Sequence, residues 1–164
     1  MKSYLHPFSP IIDSNTRILL LGSFPSIVSF EHSFYYAHPR NAFWPILETI
    51  FKVTLANNAI KRAFCITNKI GLWDVISSCE RENSSDSNLK EIVPNDFKKL
   101  LQTHPNITVI GFTGKKAFDL FQKYFKELDI EVVLLPSTSP AHASMTREVK
   151  TALYKTFLQR YLTV

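Results

Sequence analysis

The sequence predicts an α/β fold in which helices cover both faces of a central, mostly parallel four-stranded sheet, giving three layers. Three observations predict it. Four short apolar runs, residues 17–22, 71–76, 107–112 and 131–135, have the composition of strands buried on both faces. Helical stretches alternate with them, which is the order of βαβ units. No internal repeat, linker or low-complexity tract interrupts the pattern, so residues 1–164 are expected to form a single domain.

In chain order, the first run, Ile18-Leu19-Leu20-Leu21-Gly22, ends in a glycine and leads into a loop from Ser23 to Arg40 that carries Pro25 and Pro39. Helical periodicity follows over residues 41–51, with Asn41 or a neighbour as cap. A second helix is expected near residues 59–68, then the strand 71–76 and a Ser-, Asn- and Asp-rich segment, 77–88, whose composition predicts a loop. Pro94 opens a further helix and residues 107–112 form the third strand. Residues 114–125 form a helix, residues 131–135 the fourth strand, residues 136–142 a loop, and residues 146–162 a closing amphipathic helix.

At 164 residues and 45% hydrophobic, the chain can bury roughly 70% of its unfolded surface without staples, which excludes disorder and fibrous folds. Its formal charge of +5 favours a polyanionic partner such as nucleic acid. The two cysteines, Cys65 and Cys79, form no CxxC pair, which argues against a disulfide scaffold or a four-cysteine metal site. No stretch reaches the ~18 consecutive apolar residues of a membrane span and no apolar leader is visible, so a cytoplasmic protein is expected.

In a parallel sheet, the loops after the four strands converge at one edge. They are residues 22–41, residues 77–88, Thr113-Gly114 and residues 136–142. Lys116 follows Gly114-Lys115, so the phosphate-loop pattern is absent, and four glycines at 22, 71, 111 and 114 build no GxGxxG fingerprint. The remaining chemistry is that of Asn, Ser, Thr, His and aromatic side chains, with small loops that can offer backbone N–H groups to phosphates. Tyr35, Tyr36, Phe43 and Trp44 can stack on a base or fill the core.

Four segments occur in order: Gly22-Ser23-Phe24-Pro25-Ser26; Tyr35 to Trp44, containing His38-Pro39-Arg40-Asn41; Leu72 to Arg81, beginning Leu72-Trp73-Asp74-Val75-Ile76; and Leu135-Pro136-Ser137-Thr138-Ser139-Pro140-Ala141. Together they resemble the uracil-DNA glycosylase superfamily, most closely its hypoxanthine (deoxyinosine) branch, over about residues 17–142. The resemblance implies a compact α/β/α fold and hydrolysis of the N-glycosidic bond of a deaminated base flipped out of DNA. It further implies that water is the nucleophile, with no metal, cofactor or covalent lysine; a monomer is expected, since DNA must reach one face.

The resemblance also assigns residues. Phe24 stands where related branches carry a water-orienting asparagine, and it borders the base. Asn41 takes over the polar task, holding a water near the sugar or bonding the base edge. Phe43 matches the position whose ring stacks on the flipped base, while Trp44 belongs to the core. Ser137 stands at the place of the superfamily's leaving-group histidine, and His142, five residues on, can recover part of that role. Thr113 replaces an asparagine that reads the base. Ser23, Ser26, Ser139, Pro140, His142 and Lys115 are expected to face the DNA. Asp74 and Asp86 are the carboxylates nearest the edge, with no role assigned. Two alternatives stay open: a DNA-lesion or nucleotide-binding module on the same fold with little catalysis, and an unrelated flavodoxin-like domain.

Overall fold

The computed structural model describes residues 2–83 and 88–162. In chain order its elements are β1 (Lys2–Leu5), β2 (Ile18–Gly22), α1 (Ile27–His32), α2 (Phe43–Phe51), α3 (Asn58–Thr67), β3 (Ile70–Asp74), β4 (Ile76–Arg81), β5 (Lys90–Pro94), α4 (Phe97–Thr103), β6 (Val109–Thr113), α5 (Lys115–Phe125), β7 (Glu131–Leu135) and α6 (Arg147–Tyr161).

The expected four-stranded sheet is present, in the order β3-β2-β6-β7, and all of its pairings are parallel. β2 lies inside it, and Ile18, Leu19, Leu20 and Leu21 are all fully buried, which is why this strand is a continuous apolar run rather than an alternating one. Ile18 and Leu20 face a core built with Trp44, Ile46 and Leu47 of α2 and Tyr154, Phe157 and Leu158 of α6. Leu19 and Leu21 face the opposite core, with Phe97 of α4 and Ala117, Leu120 and Phe121 of α5.

Residues 77–88, expected as a loop, are partly strand. β4 pairs antiparallel with both β1 and β5, making a second, three-stranded sheet. Main-chain bonding across that sheet holds the polar residues Ser77, Ser78 and Glu80 in strand conformation, overriding their preference for turns. Asp86 lies outside the described residues.

The order of the parallel sheet positions the site. From β2 the chain steps to β3 on one side and, later, to β6 on the other, so the connections beyond the carboxyl end of β2 diverge and leave a crevice. Gly22, Asp74 and Thr113 are the last residues of the three strands that border it.

Candidate active site

A cavity of about 670 Å³ opens at that crevice, within the size range of small-molecule sites. Gly22, Asp74 and Thr113 form its floor. The segments 23–29 and 35–41 and the loop 137–142 form its walls and mouth. Two of these walls are joined: the Ala42 N–H donates to the Thr138 carbonyl at 3.0 Å. The loop 136–142 is also tied to α6, because Tyr154 Oη donates to the Pro136 carbonyl at 2.6 Å and Lys150 Nζ to the His142 carbonyl at 2.6 Å.

Of the expected residues, Asn41, Phe24, Thr113, Ser23, Ser26, Ser137, Ser139, Pro140 and His142 all border this cavity. Asn41 Oδ1 accepts from the Phe43 N–H at 2.9 Å, satisfying a donor of the first turn of α2. Its NH2 group is left as the donor for a cavity occupant. Ser137 Oγ accepts from the Ser139 N–H, and Ser139 Oγ accepts from the Ala141 N–H, each at 3.2 Å. These bonds curl the loop and leave the Ser137 hydroxyl hydrogen available to donate.

Phe24 is 8% exposed. Its ring meets Phe30 at 5.6 Å and His6 at 5.9 Å between centroids, and the Arg81 guanidinium stands 5.0 Å over it. It is a fixed apolar wall.

One expectation is corrected. Phe43 is fully buried and lies under Tyr36, with ring centroids 4.0 Å apart and planes 13° from parallel. It therefore presents no face to a ligand, and the stacked ring that borders the cavity is that of Tyr36. Tyr36 holds its place with a backbone φ of 53°, in the left-handed region that is costly for a bulky residue. Lys115, expected to face the DNA backbone, stands on the exposed start of α5 outside the cavity, paired with Asp119 one turn on.

Over its residues 9–163 the chain matches the model of the Uracil DNA glycosylase superfamily. The chain belongs to that superfamily. Among its relatives, a hypoxanthine DNA glycosylase of Methanosarcina barkeri is 35% identical over 157 residues, covering 92% of this chain and 96% of the relative. A hypoxanthine DNA glycosylase of Methanosarcina acetivorans is 34% identical over 142 residues, covering 85% and 89%. A solution NMR structure from Methanosarcina acetivorans, provisionally named a uracil DNA glycosylase, superposes with a TM-score of 0.76 at 34% identity, covering 91% of this chain and 95% of that one.

In this superfamily member, three groups at the site carry polar chemistry beyond the expected set. Tyr36 Oη lies 3.0 Å from Thr113 Oγ1, and burial, with the Asp74 charge adding to it, raises the Tyr36 phenol above its ordinary value, so it remains a hydroxyl. Asp74, 4% exposed, places Oδ2 2.7 Å from His6 Nε2. Asp74 was visible in the sequence as a charge embedded in an apolar strand. His6, in contrast, lies 68 residues away in the chain and left no local signal.

Beside the mouth lies a second, shallower cleft of about 270 Å³, bordered by Arg40, Arg147, Lys150 and the same loop. Among the described residues no cluster of three His, Cys, Asp or Glu side chains forms a metal site, and no helix is long and apolar enough to cross a membrane.

Proposed function

We propose that this chain is a monofunctional DNA glycosylase that hydrolytically removes a deaminated base, hypoxanthine first, from DNA during base excision repair. The observation that carries this reading is the cavity itself: a polar-floored crevice at the switch point of the sheet, with a cationic cleft at its lip. The cleft and loop 137–142 suit the backbone phosphates, and the cavity suits one extruded base. Water adds its oxygen to C1′ of the sugar, the N-glycosidic bond breaks, and the water's proton ends on the departing base. The Asn41 NH2 group holds the water or the base, and the Ser137 hydroxyl donates to the base as charge develops on it. Among the described residues no lysine borders the cavity, and in this reading the nucleophile is water. The relatives named hypoxanthine DNA glycosylase support the choice of base. We also propose that the protein acts as a monomer in the cytoplasm, against the chromosome.

The test is incubation with matched duplexes carrying one deoxyinosine or one deoxyuridine, followed by alkaline cleavage of abasic sites. Strand breaks at deoxyinosine are expected. No break at either lesion, with lesion binding retained, overturns the enzyme assignment in favour of a binding module.

A further inference from the structure

Asp74 divides its two oxygens between different tasks. Oδ2 faces His6 Nε2 at 2.7 Å, while Oδ1 stands over Gly22, 2.7 Å from where a Cβ on that residue would lie. Tyr36 Oη and Thr113 Oγ1 converge on the same point, each at 3.4 Å. His6 is itself held, with Nδ1 2.9 Å from the Phe8 carbonyl and its ring edge-on to Phe8, Phe24 and Trp73. Whichever partner holds the proton between Oδ2 and Nε2, Oδ1 carries none. It is an acceptor in either state.

A flipped nucleotide remains attached to DNA through its glycosidic nitrogen, so that side of the base stays at the mouth and the Watson–Crick edge enters toward the floor. Deamination changes that edge. Adenine presents a bare ring nitrogen beside an amino group, whereas hypoxanthine presents a ring N–H beside a carbonyl. The conversion of cytosine to uracil makes the same exchange. A buried oxygen that only accepts bonds the N–H of the deaminated base and opposes the lone pair of the intact one.

Resting on the reading of this cavity as a flipped-base site, we infer that Asp74 is the specificity-determining residue. Its Oδ1 accepts the ring N–H of the deaminated base, a hydroxyl of the Tyr36–Thr113 pair donates to the adjacent carbonyl, and His6 is the positioning residue that aims the carboxyl group.

The experiment measures binding of the full chain to duplexes carrying one noncleavable 2′-fluoroarabino nucleotide of hypoxanthine, N1-methylhypoxanthine or adenine, and excision of the corresponding cleavable hypoxanthine nucleotide. Wild-type protein is expected to bind hypoxanthine at least ~10-fold more tightly than either competitor, since a site built to bond an N–H rejects an analogue lacking it. Asp74→Asn, which can turn either an oxygen or an NH2 group to the base, should bring hypoxanthine and adenine within about threefold of each other. His6→Ala should erode the same preference and His6→Gln, which restores a donor, should recover it. Neither should change it further in the Asp74→Asn background, where a merely structural effect would persist. An undiminished preference in Asp74→Asn, or equal wild-type affinity for all three duplexes, overturns the inference, and the second comparison needs no variant to fold. Preferential binding without any excision leaves the base-reading role standing and overturns the glycosylase reading instead.

Discussion

Replacing Asn41 by alanine separates the cap bond seen in the structure from the catalytic role proposed for the same side chain. Oδ1 accepts the Phe43 N–H at 2.9 Å, a bond of the helix-capping kind whose loss costs about 1 kcal/mol. For a chain of this size that lowers Tm by about 2–4 °C. Starting from even ~5 kcal/mol of stability, the variant keeps all but on the order of one molecule in a thousand folded. Lost capping therefore cannot reduce activity measurably. Loss of the NH2 group proposed to hold water or base should reduce single-turnover excision of hypoxanthine by about 100-fold or more, the scale seen when one positioned donor is removed from an active site. Asn41→Asp refines the test, because a carboxylate still caps the helix but offers no N–H. Its Tm should return to about the wild-type value while its rate stays low. Wild-type excision by a folded Asn41→Ala would refute the assignment and leave Asn41 as a cap alone.

Three further outcomes are expected. Gly22→Ala sets a methyl group 2.7 Å from Asp74 Oδ1 and 3.4 Å from the Tyr36 and Thr113 oxygens; overpacking of this kind costs about 1–3 kcal/mol, and thermal unfolding together with lesion binding should show both stability and affinity reduced. Removing Arg40 and Arg147 from the second cleft should flatten the plot of log affinity for DNA against log salt by about 2, one per lost phosphate contact, and an unchanged slope would exclude the cleft from the interface. Burial pushes the Cys65 thiol from 9.0 up to about 12. The unfolded chain thus loses this proton first: the group's contribution to stability is complete below pH 9 and fades as pH rises toward 12, while at pH 8 alkylation of Cys65 should await unfolding.

The parallel sheet was legible because burial on both faces leaves a mark that needs no partner to be seen, as the leucines of β2 show. The antiparallel sheet was not, since the serines of β4 are kept in strand by bonds to β1 and β5, and nothing in 77–81 announces those neighbours. At the site, the loop residues came from motif resemblance and the structure gathered them around one cavity. Which aromatic ring would face inward was beyond reach: Tyr36 and Phe43 are stacked on each other, and only the three-dimensional path of the chain decides which covers which. The His6–Asp74 pair was hidden for the same reason, being a contact between the residue that follows β1 and the end of β3, 68 positions apart in the chain.

The bracing of loop 136–142 shifts work from protein to substrate. With Tyr154 and Lys150 holding the loop from behind and the Ala42 N–H bonded to it from across the cleft, this rim is not a lid that folds down over a captured base. Little ordering entropy is then spent on the protein side of the encounter, and the deformation falls on the duplex. A base that pairs poorly opposite its partner opens with less effort than a well-paired one. A stiff rim therefore lets the duplex reveal its own weak points, and the floor of the cavity examines only those bases that have already come loose.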